Sequence, residues 1–492
     1  MGGRLIILGA RQMFFDDKRQ VIEKESYDVV VVGGGIAGIA AAVAAARNGA
    51  KTLLMEKQIN LGGLATVGLI SWYEPLCDGK GKQMIYGIGE ELIKLSIKYG
   101  FDNLHSDWGG KSKNKVSSHR YSTFYSPMVF SLALDEYVRD SGADIRFDTH
   151  AVYPVMEENI CKGIIAETVS GKEFYSAKMI IDATGDATVC HRAGVPTVTG
   201  QNKLVYVSHG FSKQEIENYD SEKDLLEFRK WNWACGKDIN NPDDNKLNDS
   251  SGTTSDSVNE FITKAKKIAF NEIKSYDRES YELSSIPTMP QFRTIRHIVG
   301  DKTFYGTENN VNDIPDTVGC FSDFRRGDTR YQLPYSTLYN SEFPNILAAG
   351  RIISADGEGW QITRVIPECA LTGQVAGTAA ALCVKDAKMV NTLEVSKLQT
   401  QLLNDNVIAD ATHLNWGSRR KLLQALSKKV NMEKVDVIPV VIDAKLEDIL
   451  ERNKLRDGRA RVPEEAIRRL RASINDPEKD PYKYAAIMKV KN

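Results

Sequence analysis

No two of the seven cysteines in this 492-residue chain stand close enough to form a Cys-x-x-Cys pair. Cys77, Cys161, Cys190, Cys235, Cys320, Cys369 and Cys383 are dispersed, which argues against a zinc ribbon, a clustered iron–sulfur site and a dithiol redox motif. A resident metal is therefore not expected. Charge of one sign is lacking as well. The chain has 64 Lys and Arg against 65 Asp and Glu, a formal net charge of -1, so the whole molecule has no field to gather nucleic acid or anionic lipid. The apolar run at residues 5–10 is shorter than the core of a secretory signal, and an odd cysteine count fits a reducing compartment; the cytoplasm is the expected location. Long hydrophobic runs are equally scarce. Residues 29–46 carry no charge, at the edge of membrane-spanning length, but four valines give way to three glycines and then to an Ala-rich stretch. Strand formers, a tight turn and helix formers in succession read as a strand, a turn and a helix, with no membrane anchor.

The chain is long enough, and at 42% hydrophobic residues apolar enough, for a large two-domain enzyme or about three domains. Its most informative segment is Gly33-x-Gly35-x-x-Gly38, placed after the valine strand and at the start of the Ala-rich helix. In that setting Gly33 permits a sharp turn, Gly35 lets a pyrophosphate approach the backbone and Gly38 lets the helix pack on the strand. The helix N-terminus offers free N–H groups and the positive end of its dipole to the phosphates. Glu56 ends the next strand at about the offset expected of a ribose-binding carboxylate. A second glycine pair, Gly62-Gly63, predicts another close backbone approach to an extended cofactor. Later, residues 177–186 read as a buried strand ending in Asp182-Ala183-Thr184-Gly185-Asp186, and residues 343–351 as a strand ending at Gly350-Arg351. Pro367 suits the first turn of a helix that continues through Gly373 and Gly377.

Taken together, these segments resemble the FAD-dependent oxidoreductases of the glutathione-reductase-like group, in particular the family related to fumarate reductase flavoproteins. The resemblance spans residues 27–410 and includes Tyr86-Gly-Ile-Gly89 and Ala193-Gly194-Val195-Pro196. It implies an α/β fold: a Rossmann-like FAD-binding domain of glutathione-reductase type, discontinuous in sequence, with an inserted α+β substrate domain and a helical C-terminal extension. The expected boundaries are an N-terminal extension at 1–26, the FAD domain at 27–201 and 332–390, the substrate domain at 202–331 and the extension at 391–492. The implied FAD contacts are Gly33, Gly35, Ile36, Ala37 and Gly38 for pyrophosphate, Glu56 for the adenosine ribose, Val152 beside adenine, and Lys57. Gly62, Gly63, Leu64, Ala65, Thr66, Ala183, Thr184, Gly185, Gly350, Arg351, Asp356, Arg364 and Val365 line the rest, with Thr66, Asp356, Arg364 and Val365 toward the ribityl chain or ring. The family's arginine-rich block corresponds to Arg293-Thr294-Ile295-Arg296-His297, where Thr294 and His297 replace a usual Glu and Arg.

Flavin supplies the hydride or electron chemistry, so the protein must place a substrate, move a proton and exclude water. His119, His209 and His297 are the candidate proton carriers; Arg293, Arg296, Arg325, Arg326, Arg330 and Arg364 are candidate anion clamps. Arg293, Arg296 and His297 form the expected catalytic set, acting on a small polar or anionic molecule. The Arg325-Arg326 turn reads better as paired with its flanking aspartates. Trp360 either covers the flavin or packs. Electron donor or acceptor and oligomeric state are left open, a homo-oligomer included.

Two competing readings exist. A nicotinamide-only dehydrogenase has no use for Gly62-Gly63 or for residues 350–381. A flavin-containing RNA-modifying or partner-binding protein is suggested by residues 411–492, with 19 Lys and Arg against 12 Asp and Glu. The aromatic residues that stack RNA bases are sparse there, so nucleic acid is not the expected partner.

Overall fold

A computed structural model describes residues 20–111, 120–218, 229–233, 250–307, 314–405, 440–443 and 488–491. The chain is organised as two units, residues 1–407 and 408–492.

The first unit is a mixed α/β fold built on a parallel sheet. Strand β1 (Tyr27–Val32) enters the glycine turn and helix α1 (Ile36–Arg47), and the chain returns as β2 (Thr52–Met55). Helix α2 (Pro127–Asp140) leads to β3 (Asp144–Arg146). A hairpin, β4 (His150–Glu157) and β5 (Ile160–Thr168), feeds the long strand β6 (Gly171–Asp182). The parallel order is β3-β2-β1-β6. The valines of β1 explain themselves by burial on both faces, since Val29 and Val31 enter one core while Val30 and Val32 enter another. Strand β6 serves two ladders. Residues 171–176 pair antiparallel with β5, and residues 177–182 run parallel beside β1.

The intervening stretch has its own small sheet and core. After β7 (Thr197–Thr199) come β8 (Val207–Ser212) and β9 (Lys230–Trp233), then helix α3 (Ser255–Lys274) and β10 (Tyr281–Ser285). Strands β9 and β10 pair antiparallel on either side of β8. Thr254 and Ser257 form a reciprocal capping box that starts α3. Phe261, Ala265 and Ala269 of that helix pack with Val207, Phe292 and Ile295. Strand β11 (Arg296–Ile298) then pairs antiparallel with β7.

The chain finally rejoins the parallel sheet. Strand β12 (Ile346–Ala348) pairs with residues 180–182 of β6, on the edge opposite β1. Helix α4 (Ile366–Asp386) lies against α1, and the small-residue pattern of both helices has a geometric cause. A Cβ on Gly373 would sit 2.2 Å from the Ala37 carbonyl oxygen, and one on Gly377 would sit 2.1 Å from that of Ala41. The helix at Val395–Asp405 still belongs to this unit, with Gln399 donating to the Thr317 carbonyl at 2.7 Å.

In the second unit, Val440–Asp443 and Met488–Lys491 form a two-stranded parallel pair. The remainder of the expected helical extension lies outside the described residues, as do His119 and Cys235. Among the described residues, no helix is long and apolar enough to cross a membrane.

Candidate functional site

Two of the three glycines of the first turn are required by the fold itself, and the third is not. Gly33 has φ +106°, and a Cβ there would meet the Ala183 carbonyl oxygen at 2.5 Å. At Gly38 a Cβ would lie 1.8 Å from the Gly33 carbonyl oxygen. Gly35, the residue capping α1, has an ordinary extended backbone (φ −71°, ψ 176°), and a Cβ on it would meet no atom within 4 Å. Neither conformation nor internal packing demands glycine there, and the space beside it is open at a helix N-terminus.

Gly62-Gly63 comes directly against this turn. The Gly62 N–H donates to the Gly34 carbonyl at 2.8 Å, and a Cβ on Gly63 would stand 3.3 Å from the Gly35 Cα. Thr66, fully buried, donates its hydroxyl to the Leu61 carbonyl at 2.5 Å and braces the loop. Leu64 and Ala65 lie in the single helical turn between. Glu56 Oε2 accepts from the Gly34 N–H at 2.5 Å and Oε1 from the Gln58 N–H at 2.8 Å. Burial pushes its carboxyl up, and those two amides oppose the shift. Lys57 is exposed beside it.

On the other side of the turn, Asp182 ends β6 and organises the next loop. Its Oδ1 accepts from the Thr184 N–H and hydroxyl at 3.0 and 2.6 Å, and its Oδ2 accepts from the Cys190 N–H at 2.8 Å. Gly185 (φ +76°) passes its carbonyl to Arg351 Nε at 2.6 Å, while Arg351 Nη1 donates to the Phe292 carbonyl at 2.8 Å. Gly350 hydrogen-bonds Thr372 of α4, and a Cβ on it would lie 2.8 Å from the Ala37 Cβ. Val152 falls at a register shift between β4 and β5, which leaves it outside the ladder; its carbonyl accepts from Arg192 at 2.6 Å.

The residues expected nearer the ring gather at the head of α4. Val365 is its extended N-cap and Pro367 occupies the first turn. Asp356 is exposed, with Oδ1 accepting from the Gly357 N–H at 2.7 Å. Arg364 donates Nε to Gln361 Oε1 at 3.0 Å and is otherwise sunk in protein; burial, and then the charge of Arg293, push its guanidinium down to about 10. The Arg293 guanidinium makes no hydrogen bond or ion pair among the described residues, and burial lowers its pKa too.

The expected catalytic set does not share one face. Strand β11 alternates, so Arg296 and His297 point to opposite sides. Arg296 donates to the carbonyls of Asp186 and Thr253 at 3.4 and 3.2 Å. His297 is 2% exposed. Its Nδ1 lies 2.8 Å from the Ile298 carbonyl, and a carbonyl only accepts, so Nδ1 carries the proton and Nε2 is an acceptor. That Nε2 is buried without a partner, and the ring stands edge-on to Trp360 at 4.6 Å. Burial lowers the His297 pKa. Trp360 packs in the core and donates Nε1 to the Arg351 carbonyl at 2.7 Å. Arg325 holds Asp323 with two hydrogen bonds of 3.0 Å and Glu358 with one of 2.8 Å, as the turn reading expects. His209 is buried against Trp231, and burial pushes it down to about 3.

Sequence reasoning missed two carboxyls. Glu74 and Glu368 are 7% and 2% exposed, and each has an Oε2 with no hydrogen-bond partner among the described residues. Burial raises Glu74 to about 7 and Glu368 well above the ordinary carboxyl range, with the Glu74 charge adding to the shift at Glu368. Glu368 lies in the first turn of α4. The only signal available beforehand was an acid directly after Pro367, which suits any helix N-terminus. Among the described residues, no group of three or more potential ligands could hold a metal ion.

Residues 28–247 and 212–402 match the family described as FAD dependent oxidoreductase. No curated protein sequence matches the chain. Solved structures with similarity include a geranylgeranyl bacteriochlorophyll reductase-like protein from Thermoplasma acidophilum, with 14% identity, 83% of this chain and 98% of that one covered, and a TM-score of 0.39. The p-nitrophenol 4-monooxygenase PnpA from Pseudomonas putida has 12% identity, with 82% and 98% covered and a TM-score of 0.40. The myxobacterial chondrochloren halogenase CndH has 12% identity, with 84% and 92% covered and a TM-score of 0.39. With the family match covering most of its length, the chain belongs to the FAD dependent oxidoreductase family and is an FAD-dependent enzyme.

Proposed function

We propose that the enzyme transfers hydride or electrons between bound FAD and a small polar or anionic substrate held by Arg293 and Arg364. The observation that carries this reading is the Arg293 guanidinium, partly buried within electrostatic reach of Arg364, with neither in an ion pair among the described residues and Glu74 the carboxyl whose charge reaches Arg364. Two neighbouring cations removed from water repel each other, and an anion between them relieves both the repulsion and the lost hydration.

The residues present fit FAD. The open side of Gly35 and the N-terminus of α1 accommodate the pyrophosphate, with Gly33, Ile36, Ala37, Gly38, Gly62 and Gly63 shaping the approach. Glu56 and Lys57 flank the ribose, Val152 offers unladdered backbone to the adenine, and Ala183, Thr184, Gly185, Gly350 and Arg351 close the wall. Asp356, Arg364 and Val365 face the remainder. This is a glutathione-reductase-type arrangement, in which residues 202–331 act as the substrate domain. When bound, FAD supplies a two-electron acceptor or donor.

Arg293 and Arg364 orient the substrate by its anionic or strongly polar group. His297, with its Nδ1 proton fixed by the Ile298 carbonyl, accepts a proton at Nε2. Trp360 keeps water from the imidazole. Arg296, on the opposite face of β11, clasps the Asp186 and Thr253 carbonyls and holds the strand. The test is anaerobic flavin reduction with a panel of hydroxy acids, amino acids, amines and alcohols. An anionic donor should reduce the flavin, and Arg293→Ala should weaken its binding without loss of FAD. Equal reduction by uncharged donors, with Arg293→Ala indistinguishable from wild type, would refute the assignment.

A further inference from the structure

We propose that Glu74 and Glu368 form a proton store for the FAD site, two buried carboxyls that take up a proton when negative charge appears there and release it when that charge leaves. The inference rests on the reading that the head of α4 faces the reacting end of FAD.

Both side chains are more than nine-tenths buried and both keep an oxygen with no hydrogen-bond partner among the described residues. Among the described residues neither carboxyl is in an ion pair, although the charge of Arg364 reaches Glu74 and favours its ionised form. Arg364 turns its Nε to Gln361, and the hydroxyls of Tyr73 and Tyr125 donate to the carbonyls of Gly89 and Ala65, each at 2.8 Å. The other ionisable groups within reach are Cys369 on α4 and Asp323, which adds negative charge toward Glu368. Two carboxylates left in such a place cannot both stay charged, because like charges in a poorly hydrated site force at least one to hold a proton. A glutamine at either position would fill the same volume without that conflict. What the pair has and glutamines lack is a proton that can come and go. Burial pushes the Glu74 carboxyl up, while its own backbone amide, the charge of Arg364 and the amide of Ile366 at the head of α4 draw it toward its charged form; the charge of Glu74 in turn raises Glu368. This balance leaves Glu74 poised near neutrality.

With FAD bound, a hydride donor would give up two electrons and one proton as its C–H bond breaks, and its second proton would pass to His297 Nε2 and from there to the medium. The cofactor site is then one negative charge richer, and one proton enters the carboxyl pair from the medium. When an electron acceptor takes the electrons and is reduced, the site loses the charge and the pair returns its proton.

The experiment uses the FAD-loaded protein and measures the flavin midpoint potential against pH, alongside the carboxyl signals of 13C-labelled glutamate. Wild type should show a bend in the potential near neutral pH and one Glu carboxyl titrating over the same range. Glu74→Gln should lose both, and Glu74→Asp should restore the bend at a displaced pH. Potential curves for Glu74→Gln and Glu368→Gln that superimpose on wild type would overturn the proposal. If Glu74→Gln does not fold, a straight wild-type plot with no titrating glutamate does the same. Failure of the substrate assignment would register separately, as unchanged substrate affinity in Arg293→Ala.

Discussion

Replacing Gly35 by alanine isolates the ligand's claim on that position. The backbone there is extended and a Cβ would touch nothing within 4 Å, so Gly35→Ala should leave the melting temperature of the FAD-free protein unchanged. Its methyl group would occupy the approach to the N–H groups at the head of α1. Each charge-assisted hydrogen bond lost from a phosphate costs about 1.5–3 kcal/mol, or roughly 10- to 100-fold in Kd at about 1.4 kcal/mol per decade. Gly38→Ala should behave in the opposite way. Its Cβ would lie 1.8 Å from the Gly33 carbonyl oxygen, so α1 must shift, and overpacking of this kind costs about 1–3 kcal/mol even without cofactor. For a unit of residues 1–407 that lowers the melting temperature by about 1–4 °C, at roughly 1 °C per kcal/mol from an unfolding entropy of about 2.1 cal/mol/K per residue. Thermal melts of stripped protein and titration with FAD by flavin fluorescence read the two effects separately. If Gly35→Ala bound FAD as tightly as wild type, or melted early without it, the reasoning that assigns the open space to the pyrophosphate would be wrong.

The two arginines of the block around β11 should also separate. Arg293→Ala should raise KM about tenfold or more with FAD content and melting temperature retained, whereas Arg296→Ala, which loses two carbonyl contacts, should lower the melting temperature with less effect on KM. Glu74 makes stability depend on pH: its folded pKa is raised from 4.5 to about 7, so its contribution is fully present below about 4.5 and lost as pH rises through 7. That loss is on the order of 3 kcal/mol, at about 1.4 kcal/mol per pKa unit. Glu74→Gln does not titrate, so its melting temperature relative to wild type should climb between pH 5 and pH 8; a constant difference would contradict the raised pKa. Prolonged treatment with a chelator should leave flavin reduction intact, and stoichiometric iron or zinc whose removal abolishes activity would overturn the metal-free reading.

The glycine turn was legible because its chemistry is local: three glycines, a strand before them and a helix after them are set within a dozen residues. Gly62-Gly63, the Asp182 turn and the Gly350 strand were legible as separate pieces, and the family resemblance supplied their order. What the spacing could not show is that Asp182 folds its loop through Thr184 and Cys190, or that Thr66 spends its hydroxyl on the Leu61 carbonyl. Arg293 stood out only as one of six candidate arginines, and its lack of a counter-ion among the described residues is a property of three-dimensional packing. The alternation of β11 was available from the sequence in principle, since adjacent residues of a strand face opposite ways, and it separates Arg296 from His297. Glu74 and Glu368 were invisible for a plainer reason. A glutamate beside aromatic residues and another after a proline are each ordinary on a surface, and only the return of the chain to the parallel sheet buries them.

That return has a consequence for how the protein is made. The parallel sheet begins at Tyr27 but lacks β12 until residues 346–348 have been synthesised, and α1 keeps a bare flank until Gly373 and Gly377 arrive to cover it. A ribosome would therefore release most of the chain before the nucleotide unit could close, and contacts of such long sequence separation form slowly. The intervening stretch has its own core around Phe261 and Phe292, which gives it the means to condense first and shorten the distance the later strand must search. Until then the apolar side of α1 is open to the wrong partners, and the hazard of aggregation falls on the nascent chain.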